Sequence, residues 1–215
     1  MHPYLLTVVL VVAAYLLGSL SGSLLLGKLR GVDIRTQGSG NAGGTNAFRT
    51  QGAKFALGVV LIDVGKGALA AWLGLRFSEG THTAWLPCMM AFAAAVGHIW
   101  PIWHGFRGGK GAATVVGGVA VLWPAAVPVL LAVWLCVLIL TGYVGLSTIL
   151  AGVSIAILAL VAHEDAVRLV FAVAVAAMIG LGVWQLQRAA WKERLLAEYA
   201  AAAAMPALDL DPLLG

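Results

Sequence analysis

Long apolar segments constrain the fold of this chain more than any other feature of its sequence. Residues 112–162 are 51 in number and nearly all apolar, and further apolar runs lie at 4–26, 55–75, 84–100 and 167–186. Runs of about 20 apolar residues are typical of membrane-spanning helices. Only 10% of the residues are charged, whereas an ordinary soluble domain has about 25%. A water-soluble helical bundle could not bury this much apolar surface, so the sequence predicts an all-α integral membrane protein.

The number of membrane crossings follows from the breaks in these runs and from the distribution of charge. Proline and glycine at 123–128 and 141–145 divide the longest run into three helices, which gives seven in all. Ten of the 13 Lys and Arg residues lie after the first helix, around 107–110, or after the last helix. The positive-inside rule assigns these three segments to the cytoplasm, and this requires an odd number of crossings. We therefore predict a seven-transmembrane-helix bundle with the N-terminus outside and the C-terminus cytoplasmic.

The same pattern predicts how the chain is divided. One seven-helix transmembrane domain covers residues 1–190, and residues 191–215 form a cytoplasmic tail. The first apolar run has no cationic segment before it and is long, so we interpret it as a retained helix rather than a cleaved signal peptide. The net charge of +4 comes without a basic run, which argues against nucleic acid binding.

Several common catalytic and metal-binding patterns are missing from the sequence. Cys88 and Cys136 lie far apart and indicate neither a disulfide framework nor a zinc site. There is no GxSxG nucleophile motif, no HExxH and no HxxxxD. Asp63 and Lys66 are three residues apart on one predicted helix face, where they form either a self-neutralising ion pair or a support for a site. His98 is interpreted as a hydrogen-bonded packing residue, and no metal or cofactor is predicted.

The first polar loop carries a glycine-rich motif. Residues 38–43 read GSGNAG and match GxGxxG, but a dinucleotide fold would need a strand before the motif, and here a membrane helix and a basic loop precede it. Closely spaced glycines let consecutive backbone N–H groups form an anion-binding nest. A flexible linker would explain the glycines but not the dense set of donors in this loop, which are Ser39, Asn41, Thr45, Asn46 and Arg49.

A second glycine-rich loop carries two cations. The segment FRGGKGAAT at 106–114 holds Arg107 and Lys110, with a predicted helix starting near Ala112. It is not a Walker A loop, because Lys110 is followed by glycine. Its components are still those of a phosphate site: glycine for close backbone approach, cations for charge, and a helix N-terminus. Cations that only anchored the topology would not need four glycines between 105 and 111.

Three segments together resemble one family of enzymes. GSGNAGGTNAFR, GHIWPIWHGFRGGKGAAT and GYVGLSTI are similar to the three motifs of the bacterial membrane glycerol-3-phosphate acyltransferases that use acyl phosphate, the PlsY family, and LIDVGKG in the second helix resembles that family too. The resemblance covers about residues 1–187. It implies a seven-helix bundle in the bacterial cytoplasmic membrane with all three motif loops in the cytoplasm. It also implies acyl transfer from acyl phosphate to the 1-hydroxyl of glycerol 3-phosphate, which gives lysophosphatidic acid and phosphate.

The resemblance also implies roles for individual residues. Lys110, Ser39 and Arg49 match positions expected to be catalytic. Positions expected to bind substrate are Gly38, Gly40, Asn41, Thr45, Asn46, Arg107, Gly108, Gly109, Gly111, Thr114, Tyr143 and Ser147. The implied partners are glycerol 3-phosphate, acyl phosphate and membrane lipid. A protein nucleophile is not required, because acyl phosphate is a mixed anhydride with a good leaving group, and a substrate phosphate is a candidate acceptor for the hydroxyl proton.

The chain departs from the family pattern at two places. Gly145 stands where the third motif usually has serine. The segment after the last helix, LQRAAWKERLL, keeps Arg188 and Lys192 but has neither the histidine nor the asparagine expected there. A transporter or binding protein for a phosphate-bearing molecule is the alternative function, although no internal repeat of the kind found in transporters is evident. A membrane structural protein without a ligand would not need the two glycine-cation loops.

Overall fold

The computed structural model describes residues 3–81 and 83–203, and within these residues all regular elements are helical. Short 3₁₀ turns lie at Ile34–Thr36 and Ile102–His104. The α-helices are α1 (Pro3–Gly18), α2 (Gly22–Leu29), α3 (Gly44–Gln51), α4 (Ala53–Thr81), α5 (Leu86–Ile99), α6 (Ala112–Leu122), α7 (Ala126–Thr141), α8 (Val144–Val161) and α9 (Ala166–Ala203).

The first apolar run is not one continuous helix, and the prediction of a single helix over 4–26 is wrong in this respect. The run is divided into α1 and α2, whose axes differ by 47°. At the break, the carbonyl groups of Gly18 and Leu20 accept hydrogen bonds from Lys66 Nζ at 2.8 and 3.0 Å. Since backbone polar groups in an apolar environment must find partners within the protein, this lysine makes the break possible.

Helix α4 packs closely against α5 and α6 because small residues line the contacts. A Cβ atom on Gly67 would lie 1.9 Å from the Thr114 carbonyl oxygen, and one on Gly117 would lie 1.9 Å from the Val64 carbonyl oxygen. Glycine at such positions lets two helix backbones approach closely, as is common between membrane helices. The first glycine-rich loop lies before α3 and α4, and the second lies between α5 and α6, so this packing holds the two loops near one another.

The predicted breaks in the longest apolar run are confirmed. Helix α6 ends at Leu122, α7 covers Ala126–Thr141, and α8 begins at Val144. Many large apolar side chains on α7 and α8 face outward, among them Ile139 and Leu160, which are 73% and 59% exposed. Such an outer surface suits lipid rather than water.

Not all of the helices are long enough to span a bilayer alone. Among the described residues, three helical segments have the length and composition of a membrane span, and the bent pair α1–α2 makes a fourth if it counts as one span. Helices α6 and α7 and the start of α9 (Ala166–Ala177) are apolar but shorter. The all-helical prediction is thus confirmed for the described residues, while the count of seven spans stays a prediction.

Helix α9 is longer than the predicted helix at 167–186. It covers Ala166–Ala203, which is 38 residues, and so it continues past the domain boundary predicted at 190. Residues 204–215 of the predicted tail lie outside the described residues.

Candidate active site

A polar cleft lies where the two glycine-rich loops meet the beginning of α8. Its volume is about 430 Å³. Lys110 contributes from the second loop, and the first loop supplies hydroxyl, carboxamide and guanidinium groups. The residues that line this polar cleft are Ser39, Asn41, Thr45, Asn46, Arg49, Lys110, Gly142, Tyr143, Val144, Gly145, Leu146 and Ile149.

The first loop is shaped by glycines and held by one buried side chain. Gly38 and Gly40 have φ angles of +56° and +70°, in the left-handed region that favours glycine. Asn46, which is only 2% exposed, donates through Nδ2 to the carbonyl oxygens of Ile34 and Gln37 at 3.1 and 3.0 Å. Its Oδ1 accepts from the Ser39 backbone N–H at 2.9 Å. Asn46 therefore fixes the loop that presents Ser39 to the cleft.

The second loop holds Lys110 at the start of a helix. The N–H groups of Gly108 and Gly109 donate to the carbonyl oxygens of Ile99 and His98 at 3.2 and 3.1 Å, which fastens the loop to the end of α5. Gly111 has φ +79° and is the N-cap residue of α6. The chain turns into α6 directly after Lys110, so the ammonium group lies beside the helix N-terminus.

Lys110 is a half-buried cation without an opposite charge beside it. No carboxylate lies within salt-bridge distance of it among the described residues. Burial lowers the pKa of the Lys110 ammonium group, and the nearby Arg49 guanidinium lowers it further. Two cations that face one cleft without a carboxylate favour the binding of an anion there.

Three helix N-termini contribute to the surroundings of this lysine. Gly44 and Thr45 at the start of α3, Ala112 and Ala113 at the start of α6, and Val144 at the start of α8 line the polar cleft or the adjoining cavity. The first N–H groups of a helix have no partner within the helix, and the helix dipole makes this end partially positive. Phosphate groups are the anions most often bound at such positions.

An apolar cavity of about 280 Å³ adjoins the polar cleft. Its walls come from α4, α6, α7 and α8 and include Val64, Val116, Leu131, Trp134 and Ile155. Four residues line both spaces: Asn41, Thr45, Lys110 and Val144. The arrangement suits an amphipathic ligand, with a charged group in the cleft, an apolar chain in the cavity and the junction between them beside Lys110.

Several other residues predicted from the sequence to bind substrate lie at the edge of the cleft or outside both spaces. Tyr143 is 71% exposed at the edge of the cleft. Ser147 and Thr114 are fully buried and line neither of the two spaces. Arg107 is exposed and also lies outside both. Among the described residues, two buried side-chain oxygens have no hydrogen-bond partner, Thr114 Oγ1 and Asn41 Oδ1, and only that of Asn41 lies at the junction.

Comparison with known proteins assigns the chain to a family. The sequence profile of the glycerol-3-phosphate acyltransferases matches residues 8–198. The chain belongs to this family. The resemblance of the three motifs is thereby confirmed. A glycerol-3-phosphate acyltransferase of Bacillus cytotoxicus is 39% identical over 181 residues, 84% of this chain and 87% of that protein. One from Escherichia fergusonii is 42% identical over 143 residues, 66% and 68% of the two chains.

Solved structures of an integral membrane acyltransferase have the same fold. The crystal structure of PlsY in its glycerol 3-phosphate form has a TM-score of 0.74 and 30% identity, and the match covers 97% of this chain and 98% of that one. The lysophosphatidic acid form has a TM-score of 0.76 and 32% identity, with coverage of 87% and 93%. With these neighbours and its apolar helices, the chain is a multi-pass membrane protein.

The two departures from the family pattern lie in different environments. Gly145, which replaces the usual serine, lines the polar cleft near the N-terminus of α8. Arg188 and Lys192 belong to α9, but their side chains lie outside the described part of the chain.

Two connections in this acyltransferase could not be read from motif spacing. Arg35 is one of the ten cations that the charge distribution assigns to the cytoplasm. It forms an ion pair with Asp33 at 2.8 Å. Its Nη1 donates to the carbonyl oxygens of His104 and Arg107 at 2.9 and 3.3 Å. Arg35 therefore ties the first loop to the second across about 70 residues of sequence. The only signal in the sequence is an arginine close to the first motif.

The second connection is a buried ionic cluster beneath Lys110. Asp63 and Lys66 form the predicted ion pair at 2.9 Å. His98, expected to be a packing residue, joins them: its Nδ1 lies 2.8 Å from Lys66 Nζ and 3.3 Å from Asp63 Oδ1. All three side chains are at most 5% exposed. Asp63 and His98 also line the apolar cavity, so the cluster borders the site.

Proposed function

We propose that this chain transfers a fatty acyl group from acyl phosphate to the 1-hydroxyl of glycerol 3-phosphate. The products are lysophosphatidic acid and phosphate. The observation that carries the proposal is the position of Lys110 between a polar cleft and an apolar cavity, with no carboxylate within salt-bridge distance in the described part of the chain. Family membership supports glycerol 3-phosphate as the acceptor, since its relatives carry the name of that activity.

The geometry supports a mechanism based on position and charge. The phosphate groups occupy the polar cleft with Ser39, Arg49 and Lys110, and the acyl chain occupies the apolar cavity, so that the reacting carbonyl lies at the junction. The 1-hydroxyl oxygen attacks the carbonyl carbon, the bond between that carbon and the phosphate oxygen breaks, and phosphate leaves. A substrate phosphate accepts the hydroxyl proton. Holding two reactants in place and neutralising the charge that grows on the leaving phosphate can together supply much of the rate.

The donor is tested with purified protein in detergent. Acyl phosphate and glycerol 3-phosphate should release phosphate and form lysophosphatidic acid, while acyl-CoA in place of acyl phosphate should be far slower. Comparable rates with acyl-CoA would contradict the proposed donor. Binding of glycerol 3-phosphate without turnover by any donor would contradict the proposed reaction and support a transporter or binding protein instead.

We further propose that the chain crosses the bacterial inner membrane seven times with its active site facing the cytoplasm. The basic loops support this orientation, because Lys and Arg accumulate on the cytoplasmic side. Single cysteines introduced near residues 40, 108 and 192 should react only with reagents that reach the cytoplasm, and one near residue 80 should react from outside. Labelling of position 192 from outside would rule out seven spans.

A further inference from the structure

The buried cluster of Asp63, Lys66 and His98 is not explained by the proposed reaction, and its members are unusual for a membrane interior. Ionisable groups in membrane helices are rare, and where they occur they are mostly paired and functional. Here the aspartate and lysine neutralise each other at 2.9 Å. The imidazole adds a third group, which the charge balance does not require.

The cluster is anchored on one side to the break between α1 and α2. Lys66 Nζ donates to the carbonyl oxygens of Gly18 and Leu20, and Asp63 Oδ1 accepts from the Gly22 N–H at 3.0 Å. Both groups are thereby fixed by backbone atoms rather than by flexible side chains. Because Nδ1 of His98 contacts this fixed pair, the orientation of the imidazole ring is set as well.

On its other side the ring meets the loop that carries Lys110. A Cβ atom on Gly109 would lie 2.3 Å from His98 Nε2, so the backbone of Gly109 lies directly against the ring edge. The N–H of Gly109 also donates to the His98 carbonyl oxygen at 3.1 Å. A residue that is 3% exposed and held at Nδ1 is thus in contact, through Nε2, with the neighbour of Lys110.

We propose that His98 is a positioning residue for Lys110. The ion pair fixes the ring at Nδ1, the other edge of the ring supports Gly109, and this support sets where the Lys110 ammonium group lies at the junction of cleft and cavity. His98 acts through the loop and does not touch the reacting atoms. This inference rests on the proposed role of Lys110 in binding a substrate phosphate.

The first test compares His98→Asn with the wild type in detergent. Asparagine places a polar atom near the position of Nδ1 but has no ring edge to contact Gly109. Misplacing a catalytic group by about 1 Å can cost about 100-fold in rate, so we expect kcat/KM to fall about 10- to 100-fold while the thermal midpoint changes little. The matched control is His104→Ala, which removes an imidazole outside both spaces, and it should stay within about threefold of wild type.

The decisive measurement is a double-mutant cycle with Lys110→Ala. If His98 acts through Lys110, then His98→Asn should change kcat/KM less than about twofold once Lys110 has been removed. If the two losses multiply instead, the positioning role is overturned while the role of Lys110 in the proposed function stands. If Lys110→Ala alone has wild-type activity, the proposed function of the site fails together with this inference.

A second pair tests the same contact from the side of the loop. Its single variant, Gly109→Ala, also serves if His98→Asn gives little folded protein, because wild-type kcat/KM for Gly109→Ala would overturn the proposal. Gly109→Ala introduces the Cβ atom that meets Nε2, and it should lower kcat/KM. Adding His98→Asn removes the ring edge and should restore part of that loss; the recovery is partial because the Ala42 carbonyl oxygen would still lie 2.8 Å from the new Cβ. A double variant no more active than Gly109→Ala alone would overturn the proposal.

Discussion

The tetrapeptide Gly-Lys-Gly-Ala occurs twice in this chain, at 65–68 and at 109–112, and the two lysines have opposite surroundings. Lys66 lies in the middle of α4, is 5% exposed and contacts a carboxylate, an imidazole and two carbonyl oxygens. Lys110 lies in a loop, is half-buried and has no carboxylate within salt-bridge distance among the described residues. Identical local sequence thus gives one cation whose charge is paired within the protein and one that, among the described residues, has no carboxylate partner.

The contacts that a lysine makes in the folded protein, rather than its neighbours in sequence, therefore determine its role. A buried cation without partners is costly, and evolution tolerates it where a ligand supplies the missing charge. The fold supplies Lys66 with partners from α1, from the break after α1, and from α4 and α5. Among the described residues, it surrounds Lys110 with glycines, helix N-termini, hydroxyl and carboxamide groups and a second cation, Arg49, but with no carboxylate within salt-bridge distance. This difference supports a structural role for Lys66 and the proposed role of Lys110 in the reaction.

The largest expected effect is on stability, from Lys66→Met. The substitution removes the ammonium group from the buried Asp63 carboxylate and leaves it with the His98 imidazole and the Gly22 N–H. Breaking a buried ion pair in this way destabilises by about 3–5 kcal/mol. We expect a large drop in the thermal midpoint in detergent and a low yield of folded protein.

Substituting both partners of the pair provides the control for Lys66→Met. Asp63→Leu combined with Lys66→Met should recover part of the loss, since no lone charge remains; the carbonyls of Gly18 and Leu20 still lack their donor. Wild-type stability of Lys66→Met would show that Lys66 is not the structural lysine of the two.

The next effect is on rate, from Lys110→Ala. Removing one charge-stabilising contact from a partly desolvated site costs about 2–4 kcal/mol, which is about 30- to 1,000-fold in rate. We expect this loss in kcat/KM with an unchanged thermal midpoint, which is the reverse of the pattern for Lys66→Met. Lys110→Arg should rescue poorly, because a planar guanidinium does not replace a compact ammonium group.

Activity above about a third of wild type for Lys110→Ala corresponds to less than about 1 kcal/mol of barrier. That result would contradict the proposed role of Lys110 in the reaction. Rates are to be normalised to folded protein by size-exclusion chromatography, so that misinsertion is not counted as loss of catalysis.

The sequence predicted those parts of the fold and site that depend on local signals. Glycine and proline at 123–128 and 141–145 mark real helix breaks, and the two glycine-rich loops do meet at one cleft. The Asp63–Lys66 pair was predictable because its members are one helical turn apart. Helix ends were less accurate, as α9 shows: hydropathy falls after residue 186, but the polar, alanine-rich segment that follows continues the helix.

What could not be predicted depends on contacts between distant residues. The break between α1 and α2 lies inside an apolar run, and hydropathy does not reveal that its carbonyls bond to Lys66 nearly 50 positions away. His98 joins the ion pair across 32 positions, and Arg35 reaches the second loop across about 70. Single-sequence patterns carry no information on such pairings.

Substitution of the glycine that follows each lysine should have a smaller effect, which distinguishes the packing segment from the loop segment. Gly67→Ala would place a Cβ atom 1.9 Å from the Thr114 carbonyl oxygen, between two packed helices. Overpacking of this kind costs about 1–3 kcal/mol. Gly111→Ala would meet side-chain atoms of Ile99 at 3.2 Å and the Ala95 carbonyl oxygen at the ordinary contact distance of 3.6 Å. It also forces a non-glycine residue to φ +79°, which costs about 1–2 kcal/mol.

We expect Gly67→Ala to lower the thermal midpoint more than Gly111→Ala, and Gly111→Ala to lower kcat/KM more than Gly67→Ala at equal amounts of folded protein. The first glycine is needed for helix packing, and the second for the turn that presents Lys110. The reverse order in both measurements would contradict the assignment of the two segments.

The smallest effect is a shift in pH dependence caused by Arg49→Gln. In the proposed reaction the cationic form of Lys110 binds a substrate phosphate, so activity should fall as the pH rises through the pKa of this lysine. Burial and the Arg49 guanidinium both lower that pKa. Removing the guanidinium should therefore raise the pKa of Lys110 and move the alkaline limb of kcat/KM, which reports the free enzyme, to higher pH.

The control Arg107→Gln removes the same charge from an exposed position outside the cleft and should leave the alkaline limb where it is. If Arg49 itself binds substrate, Arg49→Gln also lowers the maximum of kcat/KM. Only electrostatic coupling between Arg49 and Lys110 moves the alkaline limb along the pH axis. An alkaline limb that stays unchanged or moves to lower pH in Arg49→Gln would mean that Lys110 is not the group whose charge the reaction needs.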